Sequence, residues 1–414
     1  MSYKEINLAL TDDHKMLKEA VREFAINVLR PASLKLDKLP ASEVIKKDSL
    51  FFDVLKQAYE MDYHTAMLPE EMGGAGLDPL SQHIFWEEMG YGSAGLSIAI
   101  GASGFAPLAV AMLGGSEHLV NKFVKPFVDC KDGSISSCWA ITEPNHGSDN
   151  LSVGTEQFRN PKITQQVRAV KKGNEWIING QKSAWISSGP VATNAVLFLG
   201  IDASHGMAGG GVALIDLEQS GVTKGAALDK MGLRDEPQGE LFFDNAVVPE
   251  TDMVVLPEAY EHVVREVLTL ANGAVMAPVF TGVAQAAYDL ALQHCTERVV
   301  GGKLLCEHQA TQKRLFEMFM KIETARAYSR TAMFYNMASG TPDIKYAIAA
   351  KVFCTNTAFE VANEAAQLFG GYGVSKEYPI EKILRDARAS QIADGTNCNL
   401  SLVAGNHIVK EAMS

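Results

Sequence analysis

The sequence predicts an α+β multidomain chain. An N-terminal all-α domain spans residues 1–134, a small middle β-barrel or sandwich 135–246, and a C-terminal antiparallel α-bundle 247–414. Two observations lead there. Apolar residues recur at helical spacing up to about residue 134, at strand-like spacing to about 246, and at helical spacing again from Pro249 onward. The 414 residues, 47% of them hydrophobic, suffice for a large core divided into two or three domains. No internal repeat or low-complexity run breaks the pattern.

In the first segment Thr11 or Asp12 can cap a helix whose Leu17, Val21, Phe24 and Leu29 share a face. Residues 68–77 form a Gly-rich loop, and residues 86–91 begin the next helix. Residues 96–113 carry no charge and are long enough to suggest a membrane span. Gly101, Ser103, Gly104 and Pro107 dilute that stretch, so a buried helix, a turn at residues 104–107 and a second buried helix is the better reading, with no membrane.

In the middle segment residues 165–170 and 175–178 flank Lys172, Gly173 and Asn174, a hairpin turn. Residues 195–200, 211–217 and 240–244 add short strands, the spacing of a small barrel or sandwich. Beyond Pro249, Leu315, Met318, Ile322 and Ala325 follow helical spacing, and Ala349, Val352 and Ala358 do so more loosely. After a Gly-rich turn at residues 370–373 comes a short amphipathic helix, with Ile380, Ile383 and Leu384 on one side and Arg385, Asp386 and Arg388 off it. It leads to Asp394, Gly395 and Thr396. Taken alone, a carboxylate before a glycine is more often a solvated turn than a catalytic group.

Composition narrows the function classes. A net charge of −12 argues against a nucleic-acid partner. The six cysteines are scattered without a Cys-x-x-Cys pair, suggesting neither a disulfide framework nor a zinc site and fitting a reducing compartment. The ten histidines include no His-Glu-x-x-His. No basic and apolar leader is evident, so a cytoplasmic location is expected.

Three more segments suit ligand chemistry. Residues 139–149 pair a strand end, Thr142 included, with a Pro and Gly loop whose N–H groups can face anionic groups. Residues 179–189 carry Trp185 and Ser187; a Trp in a β-domain is ordinarily core packing. Arg298, followed by Gly301, Gly302 and Lys303 and then Glu307, His308 and Gln309, places a guanidinium where it could grip phosphate or simply end a helix in solvent.

Together these segments resemble the acyl-CoA dehydrogenases over essentially the full chain. That family carries Gly-Gly-x-Gly, Glu-Tyr-Pro-x-Glu, Arg-Asp and Glu-Gly-Thr in the order and spacing of residues 370–396, and Pro-Glu-x-x-Gly-Gly-x-Gly at residues 69–76. The resemblance implies the acyl-CoA dehydrogenase fold, FAD, an acyl-CoA substrate, an electron-transferring flavoprotein as acceptor, and a homotetramer or dimer. It puts Ile141 and Thr142 on the flavin's pyrimidine edge, Ser148 on the phosphate or CoA side, Trp185 against the flavin and Ser187 at N5. Arg298 would reach the FAD pyrophosphate of a neighbouring subunit. Trp139, Gln309, Gln367, Gly370, Gly371 and Thr396 join the expected cofactor-binding set.

The departures are informative. Asp394 stands where the family has its catalytic Glu, and Ala393 replaces a common Tyr. Cys398 and Asn399 replace the residues usual after Glu-Gly-Thr, and one extra residue precedes Trp185. Val300 and Gly301 stand where a polar residue and Phe are usual, and no carboxylate lies between Thr269 and Thr281, where some branches place their base.

The resemblance thus implies α,β-dehydrogenation with Asp394 as base and hydride passing to flavin N5. The enolate would be stabilised by the Asp394 N–H and a ribityl hydroxyl. Losing one methylene withdraws the carboxylate by about 1.5 Å, a displacement that can cost about a hundredfold in rate. A bulky, cyclic or branched acyl group is therefore expected. Other relatives of this family perform 1,4-dehydrogenation of cyclic enoyl-CoAs, desulfination or flavin monooxygenation, and an inactive binding homologue is a further alternative.

Overall fold

The computed structural model describes residues 5–413; residues 1–4 and 414, at the ends of the expected first and third domains, lie outside it. Helices fill the chain up to Asp129, strands follow from Ser137 to Val255, and helices return from Pro257 to Met413. Strands β1 (Ser137–Ala140), β2 (Arg168–Lys172), β3 (Glu175–Ser187), β4 (Asn194–Gly200), β5 (Gly210–Asp216), β6 (Val222–Lys224), β7 (Gln238–Pro249) and β8 (Met253–Val255) form one sheet. The path is β6-β7-β3-β2-β4-β5-β8, with β1 parallel to β4. The expected hairpin is present, Lys172 pairing with Glu175. Alternation along β3 and β7 buries Trp176, Ile178, Leu241, Phe243 and Ala246 in the sheet's own core.

Helix α1 (Asp12–Phe24) is capped by the Thr11 side chain, which accepts from the His14 N–H. After α2 (Leu50–Glu60), helix α3 (Pro79–Gly92) starts earlier than residue 86, because Asp78 caps the Leu80 and Ser81 N–H groups. The uncharged stretch forms two helices, α4 (Ala94–Ser103) and α5 (Phe105–Met112), bent by 52° at Gly104. The following helical segments are α6 (Pro257–Leu270), α7 (Ala277–Glu297), α8 (Gln309–Ala338), α9 (Ile344–Phe369), α10 (Pro379–Ser390) and α11 (Asn397–Met413). Residues 257–297 are long and apolar enough to cross a membrane, but 89% of their most apolar window is buried in the fold.

Two expectations about helix faces need correction. Asp386 is not on a solvent side of α10: it is buried with Lys382, 2.5 Å away, and Asp235 lies 3.5 Å from the same ammonium. Their mutual charge makes burial tolerable, and Ile383 and Leu384 are left only half-buried. On α9, Ala349 is exposed, and Ala347, Ala350, Lys351, Cys354 and Ala358 form the buried face. Leu315, Met318, Ile322 and Ala325 are buried as spaced.

The first and last helical segments share one core. Val21, Phe85 and Trp86 pack in the same cluster as Phe280, Ala362 and Ala387. Helices α3 and α7 touch backbone to backbone. A Cβ on Gly282 would lie 1.9 Å from the Glu87 carbonyl, and one on Gly90 would lie 2.1 Å from that of Val279. Gly282→Ala should therefore lower stability by about 2–3 kcal/mol, the usual cost of overpacking. Gly405→Ala, in a helix with open space around it, should gain about 0.5–1 kcal/mol. Urea unfolding of the two variants checks both signs.

Candidate active site

The C-terminal signature folds into a turn that ordinary residues adopt at a cost. Asp394 has φ 51° and Gly395 φ 96°, both in the left-handed region. A side chain at 395 would also meet Leu400 at 2.9 Å. Lys351 on α9 holds this turn from beneath, donating to the Gly395 carbonyl at 2.7 Å and to Asn397 Oδ1 at 2.9 Å. Asn397 in turn donates to Thr355 Oγ1 at 3.0 Å and Asn356 Oδ1 at 2.9 Å. From the sheet side, Ser148 Oγ accepts the Thr396 N–H at 3.0 Å, and its carbonyl accepts from Asn399 at 2.9 Å. Ser148, Lys351, Asp394 and Thr396, distant in sequence, thus converge.

Asp394 itself is left unengaged. Neither its N–H nor its carboxylate makes a hydrogen bond among the described residues. Its side chain is solvent-exposed by surface area, yet protein atoms are dense around the carboxylate. That crowding raises its pKa above the usual aspartate range, against the pull of the Lys351 ammonium. Burial lowers Lys351 to about 8, with Asp394 opposing. A carboxylate raised in this way is a better base than one in water.

The sheet supplies the second wall. Lys182 and Glu143 form a fully buried ion pair at 2.8 Å. Glu143 also accepts the N–H groups of Gln166 at 2.5 Å and Val167 at 2.9 Å, while Lys182 donates to the Ile141 carbonyl at 3.0 Å. With the Ser183 N–H on the Thr142 carbonyl at 2.8 Å, this fixes the chain leaving β1. The Thr142 hydroxyl bonds to nothing among the described residues.

The extra residue before Trp185 is absorbed in β3. Between Lys182 paired with Leu241 and Ile186 paired with Gly239, residues 183–185 oppose Glu240 alone. Such a bulge re-aims side chains, and Trp185 emerges 57% exposed. Ser187 is beyond it, next to Glu236, a buried carboxyl that also feels the Asp394 charge and is pushed up by burial. Trp139 is half-buried, stacked on Phe198 at 5.6 Å and edge-on to Phe105.

The remaining predicted residues gather elsewhere. Arg298 ends α7, exposed, with its guanidinium 5.4 Å from the Tyr372 ring. Gln309 opens α8 and Gln367 lies in the last turn of α9, both exposed. Gly370 has φ 60°, and it and Gly371 have open space where a side chain would point. No hydrogen bond, ion pair or ring contact joins this group to the Asp394 turn among the described residues. Sequence reasoning did not single out Lys351 or Glu236 as site residues. The signal for Lys351 was a lone charge on an otherwise apolar face of α9.

Family models described as the N-terminal, middle and C-terminal domains of acyl-CoA dehydrogenase match residues 11–131, 138–246 and 265–404. The chain is 29% identical over 412 residues to the human mitochondrial short-chain specific acyl-CoA dehydrogenase, covering 99% of this chain and 93% of that one. It is 30% identical over 400 residues to cyclohex-1-ene-1-carbonyl-CoA dehydrogenase of Syntrophus aciditrophicus, covering 97% and 91%. Butyryl-CoA dehydrogenase of Megasphaera elsdenii superposes with a TM-score of 0.84 at 27% identity, covering 99% and 100%.

Lys182→Met strands Glu143 in the core and should cost about 3–5 kcal/mol, read by denaturant unfolding. Asp394→Asn should act the other way. The folded state favours the protonated acid, so the cost of its charge is present at pH 8 and vanishes once Asp394 is protonated in both states, well below the unfolded value of about 3.9. A higher Tm for the variant at pH 8, shrinking toward none at about pH 3, is the expected result.

Proposed function

Because the chain belongs to the acyl-CoA dehydrogenase family, as an oxidoreductase that acts with FAD, we propose that it desaturates an acyl-CoA between its α and β carbons with Asp394 as the base. The observation that carries this reading is the Asp394 turn, which combines a raised pKa with an unengaged carboxylate and an unengaged N–H on one strained residue. Both are needed. A thioester α-hydrogen is too weakly acidic for a carboxylate unless the developing enolate oxygen receives hydrogen bonds.

Features of this chain fit a flavin. They are the exposed indole of Trp185 and the hydroxyl of Ser187 on one wall, with Thr142 at the end of β1. When bound, FAD supplies the hydride acceptor. The chain's own part is to hold the substrate's α-carbon against Asp394, to accept the proton there, and to offer the Asp394 N–H to the thioester oxygen. Ile141, Thr142, Trp185 and Ser187 would hold the cofactor, with Ser148 and Thr396 bracing the turn. Arg298, Gln309, Gln367, Gly370 and Gly371 would meet the pyrophosphate of a second subunit's FAD. A homotetramer or dimer is thereby required, and exposed Phe316, Phe334 and Phe353 on the long C-terminal helices support one. An electron-transferring flavoprotein is the acceptor in this reading. Six free cysteines suit the cytoplasm.

The short Asp394 and the small Ala393 beside it favour a bulky, cyclic or branched acyl group. The Syntrophus relative, named for a cyclic enoyl-CoA, supports that choice. Anaerobic addition of alicyclic acyl-CoAs should bleach the flavin at least tenfold faster than straight-chain ones, and the product should be lighter by two hydrogens. A clear straight-chain preference would end the substrate reading, and a gain of oxygen the desaturation. Asp394→Ala should abolish bleaching. In the unaltered enzyme, bleaching should fail as pH drops through the raised Asp394 pKa, because the base is then protonated.

A further inference from the structure

Ser187 and Gln238 are register partners across β3 and β7. Gln238 Nε2 lies 3.2 Å from Ser187 Oγ, and also 3.5 Å from the Trp185 carbonyl. Gln238 Oε1 accepts from Lys230 Nζ at 2.9 Å. An ammonium has only donors, so the amide must turn its oxygen to Lys230 and its NH2 to Ser187. Lys230 is itself fixed, donating to the Glu236 carbonyl at 2.7 Å with its side chain 7% exposed. The Glu236 carboxyl, 3.8 Å from that ammonium, has no partner at hydrogen-bond distance among the described residues, but it lies near enough to Ser187 for the hydroxyl to favour its charged form.

The Ser187 oxygen is therefore already used as an acceptor, and its proton has no acceptor at hydrogen-bond distance among the described residues, the Glu236 carboxyl being the flavin's competitor for it. A free serine hydroxyl rotates among staggered positions and can donate or accept in each. Here one position is closed to its proton, because a donor occupies it. We propose that Lys230 and Gln238 are positioning residues, a two-step relay that holds the Ser187 hydroxyl as a hydrogen-bond donor toward the flavin site. The relay rests on the reading that Ser187 meets the flavin. It adds to the family resemblance a residue outside every motif, and one invisible until β3 and β7 are paired.

The test uses the purified holoenzyme and reads the flavin, not turnover. Visible absorption and midpoint potential are measured for the unaltered protein, Ser187→Ala, Gln238→Leu, Lys230→Met and the Ser187→Ala/Gln238→Leu pair, with thermal unfolding as a folding control. Gln238→Leu and Lys230→Met should shift both readings in the same sense as Ser187→Ala, and the double variant should match Ser187→Ala alone. Gln238→Glu, which keeps an acceptor for Lys230 but gives Ser187 an acceptor instead of a donor, should shift them too. It serves as the second variant if Lys230→Met does not fold. The relay is overturned if Gln238→Leu and Gln238→Glu leave the flavin unchanged while Ser187→Ala shifts it. It is equally overturned if Gln238→Leu has the same effect with and without the Ser187 hydroxyl. If Ser187→Ala changes neither reading, the placement of Ser187 at the flavin is what fails, and the relay falls with it.

Discussion

One buried ammonium organises the junction between the sheet and the C-terminal helices. Lys351 sits in the apolar face of α9 at the expense of its hydration, and the Gly395 carbonyl and Asn397 side chain are its compensation. Two successive left-handed residues would not persist in a free loop. They persist here because Lys351 pulls the turn down from one side and Ser148 closes it from the other. The same contacts leave the Asp394 N–H and carboxylate without partners. A tightly fixed backbone around an unsatisfied side chain is the physical form that preorganisation takes at this site.

Charge is used differently on the two sides of that junction. Glu143 and Lys182 are matched to each other and to backbone groups, so their burial produces rigidity. Asp235, Lys382 and Asp386 likewise tie the loop before β7 to α10, with the Leu233 N–H on Asp386 at 2.6 Å. Glu236 is buried and Asp394 is open to solvent, but neither has a hydrogen-bond partner at ordinary distance among the described residues, and the protein atoms around them raise both pKa values. Matched charges brace the frame, while unmatched ones remain available for chemistry.

Much of this was legible in the sequence because periodicity reports which face is buried. The change of period near residue 135 and its reversal after Pro249 gave the order of helices and strands, and Thr11 and the residues 172–174 turn were readable from side-chain chemistry. What periodicity cannot report is a charge that is buried because a distant segment neutralises it. Asp386 reads as one of three charged residues off the apolar side of its helix, and only Lys382 and Asp235 make its place inside possible. The extra residue before Trp185 looked like a flaw in a motif, and only strand pairing reveals that a bulge absorbs it. Gln238 carries no signal of its own, because its role depends on which strand lies beside it.

The shared helical core has a consequence for how the chain reaches this state. Val21, Phe85 and Trp86 have partners at Phe280, Ala362 and Ala387, while the intervening sheet holds one core of its own and turns its other face to helices from both ends of the chain. During synthesis the sheet's own core can consolidate once its strands have emerged, but its other face and part of the first helices' apolar surface must wait until almost the whole polypeptide has left the ribosome. Contacts this distant along the chain make assembly slow and leave a sticky intermediate in the meantime. Yield of the folded protein should consequently be governed by chaperone supply more than by the stability of the finished molecule.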